Sequence, residues 1–214
     1  GELAECERHE ALVNVAFDLP EPFQLLCPYD TSTLDDDVIE ATFRTHPFVV
    51  QDGARQASRL WTDVASMAQP LLYDSLPAPP TGARVVRFFP QDLRKVRKLV
   101  TDLGERAGLP LALGADLALS AHELVVNSVH HGGGSGTLMG WYDNVSVTVE
   151  VQDQGIITDP LAGLRRPTAA QIGGRGLWLA GQLCDLIHIR RTQTGGAVRL
   201  QMNIPAPVAK SLRR

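Results

Sequence analysis

Apolar and polar positions change period several times along the chain, and each change predicts a new element. Residues 3–17 (LAECERHEALVNVAF) and 34–45 (LDDDVIEATFRT) read as helices, the second with Thr33 placed to cap it. Residues 23–27 (FQLLC) read as a short buried strand stopped by Pro28, and 47–51 (PFVVQ) as another. A weak helical pattern over 54–68 leads into the loop LPAPPTG, where Pro77, Pro79 and Pro80 mark the best boundary. Beyond it, 83–88 predicts a strand, and 90–107 an amphipathic helix with Arg94, Lys95, Arg97 and Lys98 on its solvated face. Residues 111–131 predict a long apolar helix, and 137–143 and 145–153 a hairpin about Asn144. A helix over 174–184 and a hairpin, 186–192 with 197–204, about Gly195 and Gly196 complete the order. Antiparallel strands interleaved with helices predict an α+β fold, a two-layer α/β sandwich with a small N-terminal α/β segment. The expected division is 1–58, a linker 59–82, a main domain 83–206 and a tail 207–214.

The helix over 111–131 carries a contradiction. On a wheel with Glu123 at zero, Asp116, Ser120, Asn127 and His131 fall between roughly 20° and 80°. Leu117, Leu119, Leu124, Val125, Val126 and Val129 fill most of the rest. A helix apolar nearly all round is normally buried, and a buried carboxylate or amide needs partners. Either an internal hydrogen-bond network or a ligand in a pocket supplies them. In VSVTVEVQDQG, Val145, Val147, Val149 and Val151 alternate with polar residues, so one face should meet the helices and the other water. Asp153 continues the valine series onto the core face, and Gly155 leaves room beside it. The stretch GGRGLWLA opens a helix with Gly173, Gly174, Arg175 and Gly176, where exposed backbone N–H groups attract phosphate. Before it, the long stretch 156–172, with Pro160, Arg165, Arg166 and Pro167, has the length of a lid. Together these describe a nucleotide site. Glu123 and Asn127 face the phosphates and Mg²⁺, which takes oxygen ligands, and Asp153 accepts from an exocyclic amine such as adenine's.

Composition narrows this little. The 214 residues carry a net charge of −4, which gives no footprint for nucleic acid or a membrane surface. No apolar run has the length of a membrane span, and no signal peptide is visible. Cys6, Cys27 and Cys184 are far apart and odd in number, which predicts a reducing, cytoplasmic setting and argues against a disulfide framework or a zinc site. Gly1 in place of Met reads as a tag scar, with a natural start further upstream.

The arrangement resembles the GHKL (Bergerat-fold) ATPases, which include gyrase, the heat-shock chaperone, histidine kinases and the anti-sigma-factor serine kinases. The N-box is similar to Glu123-x-x-x-Asn127-x-x-x-His131-Gly132. The first glycine box is similar to Asp153-Gln154-Gly155, and the second to Gly173-Gly174-Arg175-Gly176-Leu177. The likeness covers residues 83–204. ELVVNSVHHGG, DPLAG and GGRGLWLAGQLCDL look most like the anti-sigma kinase branch. The resemblance implies Glu123 as general base, Asn127 as Mg²⁺ ligand, Asp153 as adenine reader, and His131 with the 173–177 backbone on phosphate. It also implies ATP and Mg²⁺ as cofactors. The implied substrate is a serine of an anti-anti-sigma (STAS-type) protein, and the other implied partner is a sigma factor. Two departures stand out: Ile157 replaces the second glycine of the first box, and Gly196 stands where relatives carry a threonine. One lost hydrogen bond there lowers ATP affinity several-fold.

Residues 1–58 more weakly resemble the C-terminal part of the MEDS sensory domain, on RHEALVNVAF, LLCPYD and His46-Pro47. On that likeness they are a remnant that packs on the ATPase domain or exchanges between chains in a homodimer. Three functions compete. The first is a serine/threonine protein kinase with anti-sigma activity, and the second a nucleotide-gated binding module without transfer. The third is a histidine kinase with His9 as phosphoacceptor, against which the dimerising hairpin is missing. His122, Trp61, Trp141 and Trp178 read as packing residues, His130 as either packing or site, and Cys184 as a buried structural thiol.

Overall fold

A computed structural model describes residues 2–17, 24–64, 66–67, 76–159, 161–164, 167 and 174–206. The chain forms two compact units, Gly1–Asp74 and Ser75–Arg214.

In the first unit, helix α1 (Glu2–Ala16) packs on α2 (Asp36–Thr45). Asn14 Nδ2 donates to the Thr45 carbonyl at 2.6 Å and fixes the pair. The cap of α2 is Asp35, not Thr33, which lies in a turn that the Asp30 carboxylate organises through Ser32 (3.0 Å). The N–H groups of Thr33 and Leu34 donate within that turn, each to the Asp30 carbonyl at 3.2 Å. A hairpin follows, β1 (Phe48–Gln51) and β2 (Ala54–Ala57). Its turn, Asp52-Gly53, has φ of 50° and 76°. An Asp-Gly pair is the strongest short hairpin signal, and it overrides the helical pattern read from residue 54 onward. The predicted strand at 23–27 is not one. Residues 24–27 are irregular, with Leu25 and Leu26 exposed, and Phe23 lies outside the described residues. Among the described residues the small sheet consists of β1 and β2 alone, and neither pairs with this segment. Tyr29 donates to Glu10 Oε1 at 3.3 Å, and burial, with that carboxylate second, pushes its phenol up to about 12.

The second unit is a five-stranded antiparallel sheet in the order β3-β4-β5-β7-β6. Its strands are β3 (Arg84–Phe88), β4 (Gly136–Tyr142), β5 (Ser146–Asp153), β6 (Leu186–Thr192) and β7 (Gly195–Asn203). Helices α3 (Leu93–Ala107), α4 (Leu111–His131) and α5 (Arg175–Leu183) form the second layer. Phe88, Val100, Leu117, Leu124, Val149, Leu200 and Met202 fill the space between the layers. The basic residues of α3 lie on its solvated face, where Lys95 pairs with Asp92 and Lys98 with Asp102. Among the described residues, no helix is long and apolar enough to cross a membrane.

Two details differ from expectation. The last hairpin turns at Gln193 and Thr194, and Gly195 and Gly196 belong to β7. Their small size serves packing, since a Cβ at Gly195 would stand 2.6 Å from the Gln154 Cα. The polar side of β5 is not wet: Ser146, Thr148 and Glu150 are as buried as the valines. β5 is the middle strand, and long neighbours lie over its outer face. Glu150, 2% exposed, accepts from Arg199 Nε at 2.7 Å, and the Arg199 guanidinium lies 5.0 Å from the Trp141 ring centroid. Arg199 Nη2 also donates to the Pro77 carbonyl at 2.6 Å, so the proline-rich segment straps this face. Val145 falls instead in the β4–β5 turn, its N–H bound by Asp143 at 2.7 Å, and is exposed.

Removing one partner of a buried pair strands the other's charge. Arg199→Met should therefore cost about 3 kcal/mol in chemical denaturation. Arg199→Met with Glu150→Met should recover most of that loss. Equal losses in the single and double variants would show that the pair is not a unit.

Candidate functional site

The site lies where the C-terminal end of α4 meets the end of β5. Helix α4 is held by its apolar face, with Leu117, Ala121, Leu124 and Val125 in the core. That orientation turns Glu123, Asn127 and His131 to one side. Strand β5 brings Val151 and then Asp153 up from the sheet beneath. The backbone joins the two elements: the Gln154 N–H donates to the Gly132 carbonyl at 3.1 Å. Contact is close enough that a Cβ at Gly132 would stand 2.6 Å from Asp153 Oδ2 and 2.7 Å from Asp153 Cβ.

The Asp153 carboxylate is held from two directions. Oδ1 accepts the Gly155 N–H at 2.7 Å, and Oδ2 lies on the Ser128 hydroxyl. Ser128 Oγ is also 3.0 Å from the Leu124 carbonyl, and its one proton serves one of the two acceptors at a time. The carboxylate stands in the wall of a cavity of about 230 Å³. Leu124, Val151, Ile157, Leu177 and Val198 make that wall largely apolar, and Asn127 and His131 stand in it too. An apolar slot with a few fixed polar groups is the usual form of a small-molecule site.

The structure gathers most of the residues singled out from the sequence. Asn127, His131, Asp153, Gly155, Gly174 and Leu177 line the cavity. Glu123 and Gly176 do not; they meet beside it. A Cβ at Gly176 would stand 2.7 Å from Glu123 Oε2 and 3.3 Å from Asn127 Nδ2. The N-terminal turn of α5 therefore abuts the carboxylate directly, and Arg175 beside it is exposed. Gly173, Pro160, Arg165 and Arg166 lie outside the described residues. Of the predicted lid, residues 156–159, 161–164 and 167 are described, and 161–164 form a turn. It buries Leu161 (2% exposed) and brings Gly163 against Leu177.

Sequence reasoning missed Ser128. It sits about 100° from Asn127 on the wheel, off the polar stripe. The available signal was a hydroxyl on the apolar face of a buried helix, which needs a partner. The two departures noted above also meet: Ile157 Cδ1 comes to 3.5 Å from the position of a Gly196 Cβ. Isoleucine fills the space that a larger residue at 196 would occupy. Cys184 is buried at the end of α5, and burial, offset in part by the Ser120 hydroxyl, pushes its thiol up to about 11. That suits a structural thiol.

Gly132 has φ of −102°, which alanine adopts freely, so its constraint is steric. Gly132→Ala should push Asp153 aside and cost about 1–3 kcal/mol in chemical denaturation. A change within about 0.5 kcal/mol, the range of neutral surface substitutions, would mean that the α4–β5 junction is loosely packed.

Comparison with known proteins identifies the family. The family model described as "Histidine kinase-like ATPase domain" matches residues 87–202. The model described as "MEDS: MEthanogen/methylotroph, DcmR Sensory domain" matches residues 1–47. No curated protein matches the chain. With more than half of its length matched, from the end of β3 to the end of β7, the chain belongs to the histidine kinase-like ATPase domain family of the GHKL type.

Proposed function

We propose that the second unit binds ATP with Mg²⁺ and acts as an anti-sigma regulatory factor that phosphorylates a serine or threonine of an anti-anti-sigma partner. Membership of an ATPase family supports a nucleotide-binding, kinase-like regulatory protein. The observation that carries the reading is the Asp153 carboxylate, fixed by Gly155 and Ser128 in an apolar slot. An anchored acceptor with apolar walls suits a flat base bearing an exocyclic amine.

The residues present fit the nucleotide. Asp153 accepts the amine, and Val151, Ile157, Leu177 and Val198 pack on the ring. His131 and the backbone of Gly174, Arg175, Gly176 and Leu177 serve the phosphates. The Asn127 amide oxygen is the metal ligand, and Mg²⁺, when bound, neutralises phosphate charge. Glu123 takes the proton of the acceptor hydroxyl. Residues 1–58 are the sensory part and 83–206 the ATPase domain, joined by 59–82.

One observation favours a second reading, a nucleotide-gated module that holds a sigma factor without transferring phosphate. Glu123 stands beside the cavity rather than in its wall, against the first turn of α5. In that reading the carboxylate holds α5 in place and takes no proton.

Calorimetry with ATP·Mg²⁺ tests the site. Asn127→Ala should weaken binding about tenfold or more, and unchanged binding would remove Asn127 from it. Transfer of the γ-phosphate to a candidate anti-anti-sigma protein tests the reaction. Glu123→Ala should abolish transfer and leave ATP binding in place. Tight ATP binding by the parent chain with no transfer would replace the kinase reading by the module reading.

A further inference from the structure

The first unit holds a cluster that the nucleotide site does not use. Glu10 from α1, Cys27 from the irregular segment before α2, and His46 from the end of α2 converge. One carboxylate oxygen, the thiol sulfur and one ring nitrogen all lie within 4.8 Å of one another, and all three residues are half-buried.

Outer contacts orient two of them. His46 Nδ1 lies 3.0 Å from the Thr42 carbonyl oxygen. The Thr45 hydroxyl lies 3.1 Å from the same nitrogen. In the tautomer that donates from Nδ1 to the carbonyl, Nε2 is left as the acceptor and ligand atom. Nε2 faces Glu10 Oε2 at 3.7 Å, beyond hydrogen-bond length. Glu10 is held through its other oxygen by the Tyr29 hydroxyl. A histidine that donates its far N–H to a carbonyl, and a carboxylate anchored by a hydroxyl, is the outer-shell pattern of metal ligands.

The dimensions agree. Ligands on one tetrahedral ion at about 2.0–2.3 Å stand about 3.3–3.7 Å apart, so atoms as far as 4.8 Å apart close by about 1 Å around an ion. One thiolate, one imidazole and one carboxylate suit a borderline-soft ion of the zinc class and not Mg²⁺ or Ca²⁺. Cys27, Tyr29 and His46 also line a cavity of about 310 Å³, which supplies an entry path and room for a fourth ligand.

We propose that Glu10, Cys27 and His46 form a three-ligand site for a divalent transition ion of the zinc class, its fourth position open to the adjoining cavity. The cysteine count argued against zinc because it looked for paired cysteines. This site needs one, with ligands that only the packing of α1 on α2 brings together. It stands independently of the nucleotide reading.

The test titrates the full, untagged chain, with reduced thiols, with Co²⁺. One equivalent should bind and give a thiolate-to-cobalt charge-transfer band with the visible bands of a tetrahedral ion. Zn²⁺ should displace it and Mg²⁺ should not. Cys27→Ser should abolish the band, His46→Gln and Glu10→Gln should each remove stoichiometric binding, and Tyr29→Phe should weaken it about tenfold. Cys6→Ser and Cys184→Ala should keep the band, and circular dichroism should report every variant folded. No band at an equivalent of Co²⁺, or a band that survives Cys27→Ser, would overturn the proposal.

Discussion

The candidate nucleotide site depends on one contact, the seating of the Asp153 carboxylate against the last turn of α4. Three features make it possible. Gly132 presents no side chain where the carboxylate lies, the Gln154 N–H ties β5 to the Gly132 carbonyl, and Ser128 and Gly155 occupy the two carboxylate oxygens. A half-buried carboxylate without such partners would be costly. With them it becomes a fixed acceptor in an apolar wall, and the cavity around it takes its shape from the same packing. Asn127 and His131, the C-terminal part of the α4 stripe, face the cavity because the apolar side of that helix is committed to the core.

The outer face of the sheet repeats this economy. Glu150 is buried in mid-strand, directly opposite Arg199, and that arginine also reaches the strap at Pro77. A charge at the centre of the sheet thus organises the segment that leads into the domain. The same strand carries two carboxylates, one on each face. One is neutralised by an arginine, and the other is left to hydroxyl and amide donors, with acceptor capacity to spare.

What was legible in the sequence was what is periodic. The valine alternation placed Asp153 on the helix side, and the four-residue spacing placed Asn127 and His131 together in the cavity wall. What failed was local signal judged without its partner. Alternation on β5 predicted a wet face, but a middle strand is covered by its neighbours' long side chains. The helical pattern from residue 54 lost to the Asp52-Gly53 turn beside it. Ser128 escaped notice because its role depends on Asp153, twenty-five residues on. Glu10, Cys27 and His46 carry no joint spacing at all, and the pairing of two helices is what brings them together.

The central claim is that Asp153 reads an exocyclic amine, and base discrimination tests it most directly. ATP and inosine triphosphate differ at that position, amine against carbonyl, and share the same phosphates. A charge-assisted hydrogen bond is worth about 1.5–3 kcal/mol, so the parent chain should bind ATP about tenfold tighter or more, and Asp153→Asn should close the gap. Equal affinity of the parent chain for the two nucleotides would contradict the account.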